Sequence, residues 1–229
     1  MSKTLIGINT LTTIRQAVYA NHCQFWFRLA KQFPNDEFGF YTPDRSSIDR
    51  MRNNTAVVAM EKDFDYVMFI DDDVLLPFDA YRKLRAADKD VVAGNVVIRG
   101  EPFHSMFFKK VPEGLTFYND YPRDQQVIDV EAVGFSCVLI KVDLLKKMRP
   151  PFFITGPWNT EDVYFCLKAR EQVPDVTIAV DTSVACGHLG DPQIFTPESA
   201  EKYRADHPEE KKNRLDRPEG YFEKCLKSL

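Results

Sequence analysis

The chain has 229 residues, of which 44% are hydrophobic and 28% are charged. This length and balance fit a globular protein of one large domain and exclude a fibrous or low-complexity chain. A formal net charge of −4 argues against attraction of the whole chain to nucleic acid or to anionic lipid.

The five cysteines are widely spaced and contain no CxxC pair. This pattern favours reduced thiols, so we expect a cytoplasmic protein, with Cys137 and Cys166 in the core. No secretory signal is expected at the start of the chain. No apolar run approaches the roughly eighteen residues that a membrane-spanning helix needs, so no membrane span is predicted.

The first hundred residues alternate between predicted strands and helices, which is the signature of a parallel sheet. Strands are predicted at residues 4–8, 38–41, 66–70 and 90–97, and helices at 14–33, 48–63 and 77–87. Thr12 or Thr13 is the expected N-cap of the first helix, and Pro77 is expected in the first turn of the third.

The pattern changes beyond residue 100, where shorter segments and proline-containing connections follow one another. Strands are predicted at 103–108, 115–118, 127–133, 137–141 and 176–180, and helices at 143–148 and 160–172. The tail after residue 190 is polar and helical in places. We therefore predict an α/β fold with a mostly parallel central sheet and a smaller mixed sheet.

The most informative segment is the aspartate triplet Asp71, Asp72 and Asp73, which directly follows the apolar run at 66–70. A strand buried on both faces delivers its next residues to the carboxyl edge of a parallel sheet, where open α/β folds bind ligands. Three neighbouring carboxylates repel one another, and a divalent cation with its preference for oxygen ligands would relieve that repulsion. The alternative is a solvated acidic turn.

A second candidate is the start of the helix predicted at 160–172, where Thr160 precedes Glu161 and Asp162. Acidic residues in a first turn are favoured by the helix macrodipole, and this alone could explain them. The functional alternative rests on the glycine–proline loop and Trp158, which lie just before these acidic residues. A carboxylate held at the opening of a site there could accept a proton from a hydroxyl nucleophile.

His188 is the third candidate, because it lies in a loop between Gly187 and Gly190. Glycines on both sides let the backbone approach a ligand closely. A neutral imidazole there could complete a metal site begun by two carboxylates, although a lone loop histidine is more often a surface residue.

In this order, these segments resemble the GT-A glycosyltransferases, and among them the family-2-like members. The matching segments are 69–74, 160–162 and His188, and the supporting ones are Arg52-Asn53, Ala93-Gly94-Asn95 and Val133-Gly134-Phe135-Ser136. The resemblance covers residues 4–190. It implies a single Rossmann-like GT-A sandwich over residues 1–229, with a nucleotide-binding half at 1–100, an acceptor-binding half at 101–190 and a tail at 191–229.

The resemblance also implies catalytic and metal-binding roles. Asp71 and Asp73 would form the DxD pair that holds Mn²⁺ or Mg²⁺ against the donor diphosphate, with His188 as the late metal ligand. Asp162 would be the catalytic base of an inverting enzyme, and Glu161 would contact the acceptor.

The remaining implied roles concern the nucleotide-sugar donor. Asn9, Thr10 and Arg52 would face the nucleotide, Asp72 would meet the ribose or the sugar, and Gly134 would belong to the donor site. The family often carries an acidic residue after its second strand, where it holds the nucleotide base, whereas this chain offers only the later Asp44. The identity of the nucleotide base therefore stays open.

The predicted activity is transfer of a sugar from a nucleotide-diphosphate sugar to an acceptor hydroxyl. The acceptor is left open between a glycan, a small molecule, a protein and a modified nucleic-acid base. Two alternatives remain: a metal-dependent nucleotidyl or phosphoryl transferase, and a non-catalytic module that binds nucleotide sugars. The sequence contains neither a GxxxxGK[ST] nor a GxGxxG motif, so no phosphate-cradling loop supports the first alternative.

Overall fold

The computed structural model describes residues 1–10, 13–157, 159–190 and 194–208. The strands are β1 Lys3–Asn9, β2 Glu37–Tyr41, β3 Tyr66–Asp71, β4 Val74–Leu75, β5 Val91–Asn95, β6 Phe107–Val111, β7 Gly114–Phe117, β8 Val127–Asp129, β9 Ala132–Val133, β10 Cys137–Lys141, β11 Ile178–Ala185, β12 Gly187–Leu189 and β13 Ile194–Phe195. The helices are α1 Gln16–Gln32, α2 Ile48–Glu61, α3 Ala80–Ala86, α4 Val142–Lys147, α5 Glu161–Gln172 and α6 Pro197–Asp206.

The central sheet has seven strands in the order β2-β1-β3-β10-β5-β11-β8. Strands β2, β1 and β3 are parallel, and β5 pairs in parallel with β11. Strand β10 enters antiparallel between β3 and β5, and β8 closes the far edge antiparallel to β11. The α/β class is confirmed, and the central sheet is mixed and partly parallel, with three parallel and three antiparallel strand pairs.

Two small sheets, both antiparallel, flank the central one. One has the order β13-β12-β4 and the other the order β7-β6-β9. The single strand predicted at 127–133 is in fact β8 and β9, which belong to different sheets. A local pattern of apolar residues cannot reveal that division, because both pieces are apolar and only their pairing partners differ.

Both faces of the central sheet are buried, as expected for parallel strands covered by helices. Leu5, Val67 and Phe69 point to one core, which also contains apolar residues of α2, α4 and α5. Ile6 and Met68, one position along their strands, point to the other core, with α1 and α3. None of the helices in the described part of the chain combines the length and apolar character needed to cross a bilayer.

Helix starts differ from the sequence expectation in two places. The N-cap of α1 is Arg15 rather than Thr12 or Thr13, and its side chain makes no capping hydrogen bond; Thr12 itself lies outside the described residues. Helix α3 begins at Ala80 rather than at Pro77, whose carbonyl instead accepts the Ala80 N–H at 3.0 Å. Strands β4, β12 and β13 are too short to leave a periodic signal.

Gly7 in β1 lies against α2 so closely that a Cβ there would be 2.6 Å from Cγ2 of Thr55. We therefore predict that Gly7→Ala lowers the free energy of unfolding by about 1–3 kcal/mol, through overpacking. Thr55→Ser removes that methyl group, and the serine hydroxyl can still donate to the Met51 carbonyl. The double variant should thus lose less stability than the sum of the single variants.

Urea unfolding monitored by circular dichroism measures all of these free energies. Gly100→Ala is the matched control, because a Cβ at Gly100 would meet nothing within 4 Å. Strict additivity of Gly7→Ala and Thr55→Ser would contradict the proposed contact.

Candidate functional site

The carboxyl ends of the parallel strands bring several predicted site residues to one edge of the central sheet. Asn9 at the end of β1 is the register partner of Asp71 at the end of β3. Asn95 ends β5, two strands away across β10. Because β10 runs in the opposite direction, it begins at this same edge, directly after Ser136.

Both carboxylate oxygens of Asp71 accept hydrogen bonds from protein groups. Oδ1 accepts from Nη2 of Arg52 at 3.0 Å, and Oδ2 accepts from the Ser136 hydroxyl at 2.8 Å. Burial raises the pKa of Asp71 above its usual value, although the Arg52 charge and the Ser136 hydrogen bond act in the opposite direction. Asp71 is thus fixed in orientation from two sides.

Arg52 lies beneath the site rather than in its opening. Its side chain is only 3% exposed, and it donates to Asp71, to Glu161 Oε1 at 3.0 Å and to the Phe135 carbonyl at 3.0 Å. The guanidinium carbon lies 5.4 Å from the centroid of the Phe69 ring and 5.5 Å from that of the Phe135 ring. The predicted contact of Arg52 with the nucleotide stays a prediction, since the contacts observed for its side chain are internal.

Glu161 is the first residue of α5 and is only 7% exposed. Burial, together with the neighbouring charge of Asp162, raises the pKa of Glu161 to about 7, while the Arg52 guanidinium acts in the opposite direction. Through Arg52, the start of α5 is joined to the end of β3.

Asp162 lies in the first turn of α5 and is half-buried. Its Oδ1 accepts from the Val163 N–H at 2.7 Å and from the Thr160 hydroxyl. Thr160 is the N-cap by position, but its own side chain accepts no capping hydrogen bond. Trp158, which the sequence places beside this pair, lies outside the described residues.

Asp73 and His188 are brought together by the pairing of β4 with β12, in which His188 is the register partner of Val74. Asn21 and His22 of α1 hold this segment by bonding to the backbone of Leu76 and to the Val74 carbonyl. The His188 Nε2 atom lies 3.5 Å from Asp73 Oδ1. The structure therefore joins two residues that are distant in the sequence.

The hydrogen bond of the other ring nitrogen determines what His188 presents to Asp73. Nδ1 lies 2.7 Å from the Val97 carbonyl oxygen, and since a carbonyl can only accept, Nδ1 carries the proton. In the neutral ring, Nε2 then directs a lone pair towards the carboxylate. Two acceptor atoms that face each other need a proton or a cation between them.

Asp73 has a further partner, the guanidinium of Arg99, that the sequence did not suggest. Nη1 of Arg99 lies 2.9 Å from Asp73 Oδ2, and the Arg99 side chain is 50% exposed. Burial would raise the pKa of Asp73, but His188 and Arg99 outweigh it and the net direction is downward. In the sequence, Arg99 is marked only by its position shortly after β5, a strand that ends at this edge.

The facing atoms of Asp73 and His188 are of the types that bind Mn²⁺ or Mg²⁺, and an imidazole ligand suits Mn²⁺ better. Their 3.5 Å separation is less than twice a metal–ligand distance of ~2.1 Å, so one cation can reach both. Within the described residues, no group of three or more His, Cys, Asp or Glu side chains is arranged around a common point. Asp71 is thus not brought into one cluster with this pair.

The remaining predicted site residues are Asp72 and Gly134. Asp72 is half-buried in the turn between β3 and β4. A Cβ at Gly134 would lie 2.8 Å from Cε of Met106. Met106 therefore leaves little room for a side chain at 134, and a donor contact there stays a prediction.

Several buried polar atoms at the edge lack a hydrogen-bond partner in the described part of the chain. They are Nδ2 and Oδ1 of Asn9, Oγ1 of Thr10 and Oδ1 of Asn95. The Asn95 amide nitrogen is satisfied by the Tyr121 hydroxyl at 3.1 Å. An unsatisfied buried polar group costs about 1–3 kcal/mol, so an ordered water or a polar ligand that bonded to these atoms would be stabilising.

No protein-family model and no curated protein matches the chain. Among solved structures, it is similar to A197 from STIV, with 20% identity, a TM-score of 0.60 and coverage of 86% of this chain and 91% of that one. Its similarity to GalNAc-T7 with UDP, GalNAc and Mn²⁺ has 10% identity, a TM-score of 0.49 and coverage of 82% and 44%. For S. aureus TarS 1–349 the values are 14%, 0.45, 99% and 69%. The likeness to A197 shows a shared fold.

The raised pKa of Glu161 predicts a pH dependence of stability. Between its ordinary value of 4.5 and about 7, the unfolded chain is ionised while the folded protein keeps the proton. Stability from this group is therefore lost as the pH rises through that window. Glu161→Gln cannot ionise, so its stability relative to wild type should increase by up to about 3 kcal/mol from about pH 4 to about pH 8.

Urea unfolding at several pH values measures this difference. Glu171→Gln, at an exposed position near the end of the same helix, is the control and should show no such trend. A Glu161→Gln variant whose relative stability falls with pH would mean that the ionised pair with Arg52 is favourable.

Proposed function

We propose that this protein is a transferase that moves a sugar from a nucleotide-diphosphate sugar to an acceptor hydroxyl with the help of Mn²⁺ or Mg²⁺. The observation that carries the proposal is the pair of facing ligand atoms on Asp73 and His188, 3.5 Å apart at the carboxyl edge of the sheet. That edge is where open α/β folds bind nucleotides.

The unsatisfied polar atoms of Asn9, Thr10 and Asn95 support a donor site at this edge. Amide and hydroxyl groups of this kind can bond to a ribose or to a base. Asp71 is held by Arg52 and Ser136, so its carboxylate offers a fixed acceptor for a donor hydroxyl. On this basis, the proposed place of the nucleoside is at the ends of β1, β3 and β5, within the proposed nucleotide-binding half at 1–100.

Asp73 and His188 are the residues that would hold the cation. When bound, a divalent cation acts as a Lewis acid that stabilises the negative charge on the departing diphosphate. The Val97 carbonyl keeps the His188 proton on Nδ1, which leaves Nε2 free to act as a ligand. This orientation by an outer hydrogen bond is typical of metal-binding histidines.

Asp162 is the proposed base that accepts the proton of the attacking hydroxyl. Glu161 is nearly buried and bonded to Arg52, which suits it to positioning the helix start and not to proton exchange with an acceptor. Asp162 is half-buried at the same helix start, so its carboxylate is the more accessible of the two. The proposed acceptor-binding half at 101–190 includes both residues.

Several aromatic side chains between residues 100 and 126 are packed inside the protein. Phe107, Phe108 and Tyr121 are buried in the core, and Phe117 stacks on His104 with ring centroids 4.3 Å apart. These rings stabilise the β7-β6-β9 sheet. Their packing explains them without a ligand.

The activity can be tested by incubating the protein with a panel of nucleotide sugars and Mn²⁺. Slow transfer to water should release free sugar and nucleoside diphosphate, and Asp73→Asn should reduce that release by at least about tenfold because a charged ligand is lost. Sugar 1-phosphate among the products would instead indicate nucleotidyl transfer. Binding without any turnover would favour a non-catalytic module.

Asp162→Asn separates the proposed role of Asp162 as a base from its structural role in the first turn of α5. The amide oxygen of Asn can still accept from the Val163 N–H, so only the favourable interaction of the charge with the helix macrodipole, about 0.3–1 kcal/mol, is lost. Loss of a general base should lower the rate by about 10²–10⁴-fold while donor affinity is kept. Asp143→Asn, in the first turn of α4, is the matched control. Near-wild-type transfer by Asp162→Asn would refute the base and favour a mechanism that needs none.

A further inference from the structure

One loop contacts both members of the Asp73–His188 pair. This loop, residues 97–104, follows β5 and is called the β5 loop below. Its Val97 carbonyl orients His188, and its Arg99 guanidinium lies 2.9 Å from Asp73 Oδ2. The loop therefore supplies a fixed contact to the imidazole and a positive charge to the carboxylate.

The Arg99 contact differs from the buried Arg52 contact in the same site. The Arg99 side chain is 50% exposed, whereas that of Arg52 is 3% exposed. Gly100 beside it faces open space, since nothing lies within 4 Å of a Cβ placed there. An ion pair with so much solvent access is weak, and its long side chain can leave its partner at little cost.

The backbone of the β5 loop, by contrast, is held at several points. The Ile98 N–H donates to the His104 carbonyl at 2.9 Å, and the Phe103 N–H donates to the Gly100 carbonyl at 2.7 Å. Arg204 of α6 donates to the Phe103 carbonyl at 2.8 Å. If the Arg99 guanidinium leaves Asp73, the side chain therefore moves while the backbone of the β5 loop stays in place.

We propose that Arg99 is an exchangeable counter-ion: it neutralises Asp73 while no divalent cation is bound, and it turns to the donor diphosphate when one is. The inference rests on the proposed function, because it assumes a cation at Asp73 and His188. A cation there places a second positive charge beside the guanidinium, which weakens the Arg99–Asp73 contact. The fork of a guanidinium matches phosphate oxygens, so a diphosphate offers it a better partner.

The proposal predicts opposite effects of one substitution on two ligands. Arg99→Gln removes the competing charge, so Mn²⁺ alone should bind about two- to fivefold more tightly than to wild type. Inorganic pyrophosphate in the presence of saturating Mn²⁺ should bind roughly tenfold more weakly, because a charge-assisted contact is lost. A residue that only supported the loop would weaken both.

Mn²⁺ binding is measured from the electron paramagnetic resonance signal of the free ion, and pyrophosphate binding by isothermal titration calorimetry. Arg82→Gln is the matched control, because Arg82 is also exposed and paired with an aspartate, Asp79, at 3.1 Å. It removes the same charge and should leave both affinities unchanged. Arg99→Lys keeps the charge but loses the fork, so it should fall between wild type and Arg99→Gln for pyrophosphate.

The outcomes separate this inference from the function on which it rests. If wild type binds Mn²⁺ and Asp73→Asn does not, while Arg99→Gln leaves Mn²⁺ affinity unchanged or weaker, the counter-ion role is overturned and the metal site stands. If Arg99→Gln binds Mn²⁺ more tightly but pyrophosphate equally well, the turn towards the diphosphate is overturned. If wild type binds no Mn²⁺, the metal part of the proposed function fails, and this inference fails with it.

Discussion

The buried guanidinium of Arg52 is the interaction on which the geometry of the site depends. Removing a charge from water costs several kcal/mol, and this cost is offset only when the charge is paired and fully hydrogen-bonded. Each of the three guanidinium nitrogens of Arg52 donates one hydrogen bond, to Glu161, to the Phe135 carbonyl and to Asp71, each at 3.0 Å. These acceptors belong to β3, to the start of α5 and to the segment before β10. One buried cation therefore fixes the distance between the proposed donor side and the proposed acceptor side.

Asp71 and Asp73 lie two residues apart in the chain, yet their surroundings differ in kind. Asp71 is bonded to the nearly buried Arg52 and to Ser136, and burial raises its pKa. Asp73 has the exposed Arg99 and the His188 imidazole as partners, and its pKa is lowered. A carboxylate with immovable partners suits the fixed positioning of a ligand. A carboxylate with a displaceable partner suits the exchange of one cation for another, because the outgoing charge can be taken up by solvent or by phosphate.

The sequence predicts those parts of this arrangement that depend on local pattern. The apolar run before Asp71 predicts a buried strand, and the alternation of strands and helices predicts the parallel part of the sheet, because both rest on periodicity and composition. Insertion of β10 between β3 and β5 leaves no local trace, since strand order depends on contacts between distant segments. For the same reason the sequence singled out Arg52, Asp71 and Glu161 but not the bonds that join them, and it missed Arg99 altogether. The close approach of Met106 to Gly134 depends likewise on a contact between segments separated in the chain.

Insertion of β10 also explains how residues from both halves of the chain come to share one site. Strand β10 is antiparallel to its neighbours, so its amino end, and not its carboxyl end, lies at the edge where β3 and β5 end. Ser136, just before β10, can therefore reach Asp71 from the next strand position. Had β10 been parallel, Lys141 would lie at that edge in place of Ser136, and Asp71 would lose its hydroxyl donor. The direction of one central strand thus decides which side chain holds the carboxylate, and it makes the site a joint product of segments that are more than sixty residues apart.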